Sequence, residues 1–408
     1  MVGMEKRSLY REIWRELSRG KAMIFLSGPR QSGKTTLARM IGDDFPNRLY
    51  FNWDILANKR QLVVNPTFFT EMNRTDSSKP LVIFDEIHKY RRWKNYLKGV
   101  YDQFSNDYHF LVLGSGRLDI FQKGGDSLAG RYFPFSLWPF TLAELADRRR
   151  LFDEFIASPL DMKAESGDLA DIRTRLERCS GFPEPYLAGT DRFYRRWART
   201  YARQLIREDI RDLTGIVTID TVEILFSLLP SKVGSPLSIE AIARDLQVSF
   251  ATVKRWLGIF ERFYLAFSIG PWTRSISRAI RKERKLYLFD YAAVPSPPAR
   301  LENMVAVELH RAVKTWTDLG HGDYSLHYIR NKEKEEVDFL IADGNKPILL
   351  IEVKTSDDQP SKGLRKFQQG LNVPAVQLVD ADGLHRLLPN GEQTILVADA
   401  CRWLSGLP

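Results

Sequence analysis

Long apolar runs are missing from this 408-residue sequence. Stretches such as residues 348–351 fall far short of the roughly 20 residues needed to cross a bilayer, and the N-terminus lacks an apolar signal core. No membrane partner is therefore expected, and the expected location is cytoplasmic. Cysteine is nearly absent as well: Cys179 and Cys401 stand far apart and outside any zinc-ligand spacing, which argues against a disulfide framework or a zinc site and for two buried thiols. There is no internal repeat and no low-complexity tract. Acidic residues are in the minority, 51 against 60 Lys and Arg, and the resulting +9 charge favours an anionic partner such as nucleic acid. What is present, 44% hydrophobic, 12% aromatic and 27% charged residues, is the balance of a folded protein.

The length exceeds one ordinary core and suggests about three units. Helical spacing through Arg19, carried by Leu9, Ile13, Trp14 and Leu17, leads into an apolar strand at 22–27 and a Gly-rich turn. Further strands are expected at 49–53, 81–85 and 110–114, separated by helical stretches such as 93–104, and this alternation implies a parallel sheet covered on both faces. After Glu144 the pattern turns helical at 151–156, 170–178 and 193–213. From Leu301 a helix precedes strands at 325–330, 336–342 and 347–354, and Pro295, Pro297 and Pro298 interrupt the chain just before it. The boundaries expected are 1–145 for an ATPase core, 146–219 for a helical lid or connector, 220–294 for a winged-helix-like domain and 295–408 for a final α/β domain.

Gly28-Pro29-Arg30-Gln31-Ser32-Gly33-Lys34-Thr35 has the full P-loop spacing, follows an expected strand and opens an expected helix. Glycine lets backbone amides curl around phosphate, and the helix N-terminus adds partial positive charge. The nucleotide-binding candidates are Gly28, Gln31, Ser32, Gly33, Lys34, Thr35 and Thr36, with ATP and Mg²⁺ as the implied ligands. Lys34 would reach the β and γ phosphates, and Thr35 would place its hydroxyl on Mg²⁺. Leu81-Val82-Ile83-Phe84-Asp85-Glu86 is a buried strand ending in two carboxylates at the sheet edge where ligands bind. Asp85 is expected in the Mg²⁺ shell and Glu86 as the group that orients and activates water. Ser115, after the strand at 110–114, could contact the γ-phosphate or cap the next turn.

These residues, with Ile87-His88, Trp93, Leu97-Lys98, Gly114-Ser115, Ser127-Leu128-Ala129-Gly130-Arg131, residues 137–144 and Gly181-Phe182-Pro183-Glu184, make the chain resemble AAA+ type ATPases of bacteria and archaea that carry a C-terminal restriction-nuclease-like domain. The resemblance spans most of the length. It implies an arginine that reaches the γ-phosphate of a neighbouring subunit, for which Arg131 is the first candidate, Arg117 the second and an ordinary surface role the alternative. A homo-oligomer follows from that role, although no second-sensor arginine is identified after Glu144.

Residues 238–246 and 251–257 read as helix, turn, helix, with Ser238 and Ser249 at N-cap positions. Strands at 264–269 and 285–289 would enclose a wing, and the segment resembles a winged helix. Arg274, Arg278, Arg281, Lys282, Arg284 and Lys285, together with Lys254 and Arg255, could neutralise DNA phosphates; protein docking or a solvated face are the alternatives. In the last unit, Glu352 and Lys354 lie two apart on a strand and so share a face. With Asp338 on the neighbouring strand they resemble the PD-(D/E)xK nuclease pattern, which implies Mg²⁺ on Asp338 and Glu352 and a water positioned by Lys354. Glu302 matches the additional helical acid of that fold, and Glu308 is the alternative. The fold class expected is α/β: a P-loop parallel-sheet ATPase core with helical lid, winged helix and C-terminal restriction-nuclease-like domain. The expected function is ATP hydrolysis coupled to remodelling or processing of DNA, or else ATP-dependent regulation by docking with an inactive nuclease-like domain.

Overall fold

Apolar runs without alternation, Met23–Ser27, Leu81–Asp85 and His109–Leu113, mark strands with both faces buried, and they form the middle of a parallel sheet. A computed structural model describes residues 7–114, 128–162, 169–210, 218–273 and 283–408. It divides into two compact units, residues 1–139 with 262–264, and residues 140–261 with 265–408.

In the first unit the strands are β1 (Met23–Ser27), β2 (Arg48–Asn52), β3 (Leu81–Asp85), β4 (His109–Leu113) and β5 (Phe133–Ser136), in the order β2-β3-β4-β1-β5. All four pairings are parallel. One face of the sheet packs an aromatic-rich core in which Phe51 meets Phe84 edge-on and Phe84 stacks on Phe110. The helix Trp93–Phe104 contributes Trp93, Leu97 and Val100, spaced four and three apart as one helical face requires. Burying each such side chain contributes roughly 1.5–3 kcal/mol. Parallel order has a positional consequence: the carboxyl ends of β1, β3 and β4 lie along one edge, and the loops that leave them face the same way.

The second unit has an eight-stranded mixed sheet ordered β12-β13-β11-β10-β9-β8-β6-β7. Its strands are β6 (Ala266–Pro271), β7 (Lys285–Leu288), β8 (Tyr324–Arg330), β9 (Glu336–Asp343), β10 (Lys346–Lys354), β11 (Ala375–Val379), β12 (His385–Asn390) and β13 (Gln393–Asp399). The hairpin β6–β7 is continuous with this sheet, because Gly270 and Pro271 pair with His327 and Tyr328 of β8. Before it come the helices Ile239–Asp245 and Phe250–Arg262. Ser238 accepts from the Ala241 amide at 3.3 Å and Ser249 from the Thr252 amide at 3.1 Å, so both serines cap as their positions imply. Pro297 and Pro298 occupy the first turn of the long helix Pro297–Asp318, where a missing N–H costs nothing. Among the described residues no helix is long and apolar enough to cross a membrane.

Candidate nucleotide site and the C-terminal carboxylate cluster

The turn after β1 demands glycine at two places. Gly28 has φ of 137°, and a Cβ there would lie 2.2 Å from the Leu137 carbonyl oxygen. Gly33, at φ 95°, sits in the left-handed region immediately before the helix Lys34–Asp43. Arg7, 5% exposed, donates to the Ser32 carbonyl at 2.7 Å and the Trp138 carbonyl at 3.1 Å, and so pins the loop from behind. The Lys34 ammonium donates to the carbonyls of Gly28 at 3.0 Å and Pro29 at 2.6 Å. Burial pushes its pKa down to about 8 against the opposing charges of Glu86 and Asp85. Thr36, on the same first turn, is exposed, as is Gln31 with its φ of 61°.

Asp85 ends β3, 5% exposed, and its Oδ2 accepts from Thr35 Oγ1 at 2.9 Å and from the Tyr50 hydroxyl at 2.6 Å. Burial, with this bond to Asp85, lifts the Tyr50 phenol to about 12, so it stays a donor. Hydroxyl and carboxylate together form the hard-oxygen donor set that suits Mg²⁺. Glu86 follows in left-handed backbone at φ 56° and pairs with Lys89 at 3.0 Å. His88 Nε2 is 3.5 Å from the same carboxylate oxygen. Burial alone would lower the Lys89 pKa, but Asp54 and Glu86 outweigh it and hold the ammonium above its ordinary range. Arg131 lies on the same unit with a partner of its own: Nε and Nη2 donate to the two carboxylate oxygens of Asp102 at 2.6 and 3.1 Å. Ser115, Arg117 and Ser127 lie outside the described residues.

In the second unit Asp338, Glu352 and Lys354 do come together. Asp338 Oδ2 accepts from the Val353 amide at 2.9 Å, and Lys354 Nζ stands 2.9 Å from Glu352 Oε1. Glu352, 3% exposed, also accepts from Ser361 at 2.6 Å. Burial raises its pKa, with Ser361 and Lys354 opposing. Glu302 joins the cluster from the helix Pro297–Asp318, accepting from the Tyr287 hydroxyl at 2.7 Å. Glu302 and Lys354 line an adjoining cleft of about 270 Å³.

Two sequence expectations are corrected here. Lys285, placed among the DNA-contacting basic residues, has 0% exposure: its Nζ lies 2.7 Å from Glu336, 3.2 Å from Glu302 and 3.3 Å from Asp338. β7 alternates, so Lys285 and Tyr287 share the face turned toward these acids while the neighbouring Arg284 is exposed. Glu308, the alternative helical acid, accepts instead from the Leu142 amide, which it caps. A divalent ion on Asp338 and Glu352 does not fit this donor set, because an ammonium already engages Asp338 and a second engages Glu352. Arg274, Arg278, Arg281 and Lys282 lie outside the described residues.

Sequence reasoning missed Arg7, Tyr50 and Ser361. None belongs to a spaced motif: Arg7 and Tyr50 are recruited by long-range contacts, and Ser361 by the turn that follows β10. Lys285 was seen, but only its place in β7 separates it from the exposed Arg284.

A parallel sheet with a glycine-cradled helix N-terminus and a strand-end aspartate facing Thr35 defines a P-loop domain. The sequence comparison agrees over that unit: residues 20–146 match the family described as AAA domain. Residues 171–295 and 299–395 match two further families described as domains of unknown function. The chain is 23% identical over 397 residues to an uncharacterized protein of Mycobacterium tuberculosis, covering 94% of this chain and 81% of that one. It is 26% identical over 395 residues to an uncharacterized protein of Methanocaldococcus jannaschii, covering 85% and 79%. A Walker-type ATPase of Pyrococcus abyssi is similar at 15% identity with a TM-score of 0.44, covering 71% of this chain and 94% of that one.

Proposed function

We propose that the chain hydrolyses ATP in its N-terminal unit and uses the nucleotide cycle to act on DNA held by its second unit. The observation that carries the first half is the half-buried Lys34 at the head of a helix, held by the Gly28 and Pro29 carbonyls, beside a Thr35–Asp85 hydrogen bond at the carboxyl edge of the sheet. The amides of Gln31 to Thr36 bind the phosphates, and Lys34 exchanges the Gly28 and Pro29 carbonyls for phosphate oxygens. Thr35 and Asp85 would hold Mg²⁺, which supplies neutralisation of phosphate charge when bound. Tyr50 orients Asp85 by donating to the same carboxylate oxygen as Thr35. Glu86 accepts a hydrogen bond from the attacking water and takes its proton, and the neighbouring Lys89 holds the carboxylate in place. Arg131 serves the γ-phosphate of a second copy after leaving Asp102, which makes hydrolysis a property of the homo-oligomer.

DNA binding rests on the +9 charge and on Arg244, Lys254 and Arg255, all exposed on the two helices before β6. Titrating the wild-type chain with a fluorescent ATP analogue and then with duplex DNA at several salt concentrations tests both halves. Nucleotide binding that disappears in Lys34→Ala supports the first. DNA affinity that falls with salt supports the second; no DNA binding, or binding independent of salt, rejects it in favour of protein docking.

A further inference from the structure

We infer that the ammonium of Lys285 is the resident cation of the C-terminal carboxylate cluster, standing where a divalent metal would be needed, so that this domain holds no catalytic metal. The cluster has four carboxylates and two lysines. Lys285 has three N–H donors and three acceptors around it: Glu302 Oε1 at 3.2 Å, Glu336 Oε1 at 2.7 Å and Asp338 Oδ1 at 3.3 Å. The second oxygen of Asp338 accepts from the Val353 amide. Both oxygens of Glu352 are engaged, one by Lys354 and one by Ser361. A divalent ion entering here would displace those donors and stand within a few ångströms of a buried positive charge.

Lys285 is fully buried, so it cannot swing aside into water as a surface lysine can. It is anchored by backbone as well as charge. It is the first residue of β7, opposite Ile269 in the hairpin, and it also forms an isolated bridge with Pro236. Glu336 has a second cation in Arg330 at 3.6 Å, which adds to the positive charge already around the acids. Among the described residues no group of three His, Cys, Asp or Glu side chains is arranged to hold a metal. The site therefore keeps the carboxylates of a metal centre while a lysine supplies the counter-charge. That makes the cluster a fixed, metal-independent part of the domain.

The test is Mn²⁺ binding to the nucleotide-free full chain, followed by the electron paramagnetic resonance signal of free Mn²⁺, a readout independent of ATP hydrolysis. Wild type and Asp338→Asn are expected to bind Mn²⁺ alike. Lys285→Met is expected to gain a site at least about tenfold tighter than any in wild type, and the gain should vanish in Lys285→Met combined with Asp338→Asn. Mn²⁺ binding by wild type that is lost in Asp338→Asn or Glu352→Gln overturns the inference. So does a folded Lys285→Met that gains no site. If Lys285→Met does not fold, the comparison of wild type with Asp338→Asn and Glu352→Gln still decides.

Discussion

Proton linkage at Lys34 offers a quantitative handle on the nucleotide site. In the nucleotide-free chain burial lowers its pKa to about 8, from an ordinary 10.5, while the loop carbonyls of Gly28 and Pro29 accept from it. Phosphate oxygens carry full negative charge, so in the bound state the ammonium returns to its ordinary range or above. The sign follows directly: the bound form holds the proton more tightly, so affinity is full below about pH 8 and is lost as pH rises above it. Between about pH 7 and pH 9 the dissociation constant for ATP should rise about tenfold, equivalent to ~1.4 kcal/mol, with close to one proton taken up per nucleotide bound at the upper end. Isothermal titration calorimetry in two buffers of different ionisation heat measures both quantities. Affinity that is flat across this range, or binding without proton uptake at the upper end, refutes the placement of Lys34 against phosphate.

Glu86→Gln is expected to keep ATP affinity within about twofold while lowering turnover by about a hundredfold or more, since it keeps the shape but loses the proton acceptor; unchanged turnover in a phosphate-release assay removes Glu86 from that role. Arg131→Ala should bind ATP yet hydrolyse it poorly, and mixing it with Lys34→Ala should restore part of the activity; no recovery, with a monomeric mass in ATP by light scattering, refutes the action in trans. Replacing Lys254 and Arg255 with Ala should reduce the slope of log affinity against log salt by about one to two for duplex DNA, and an unchanged slope places the contact elsewhere. Burial raises the Glu308 pKa to about 7, so its share of stability is present at low pH and lost as pH climbs from its ordinary 4.5 through about 7. Urea denaturation of Glu308→Gln should therefore show a shallower fall in stability over that window, by up to about 3 kcal/mol, the residual fall coming from Glu302 and Asp290; an unaltered pH profile contradicts a buried, proton-rich Glu308.

The nucleotide site was legible because its signal is local. Glycine, lysine and threonine occur within one turn, and Leu81–Asp85 is an apolar run whose last residue must emerge at a sheet edge. The strands at 336–343 and 346–354 were readable for the same reason, with alternation on one side and the Asp343-Gly344 turn between them. β11, β12 and β13 were not read. Ala375–Val379 is a five-residue buried run, apolar but for Gln377, whose partners lie on β10 and β13, and nothing within it distinguishes a strand from a helical turn. The fate of Lys285 was hidden more deeply: it closes a basic stretch of sequence, its neighbour Arg284 is exposed, and the pairing of β7 with β6 turns Lys285 inward. Pairing across 53 residues, as between Lys285 and Asp338, leaves no trace in local periodicity. The same is true of Arg131 and Asp102, which are brought together by the packing of the helix Trp93–Phe104.

Steady-state release of inorganic phosphate from ATP, comparing the full-length wild type with Lys34→Ala at matched concentration and with Mg²⁺ present, tests the central claim most directly. Saturable release by wild type, reduced to background in Lys34→Ala together with loss of nucleotide binding, is the predicted result. Phosphate release of equal size in both proteins, or a wild type that binds no nucleotide, would contradict an ATP-hydrolysing site built on Gly28, Gly33, Lys34, Thr35 and Asp85.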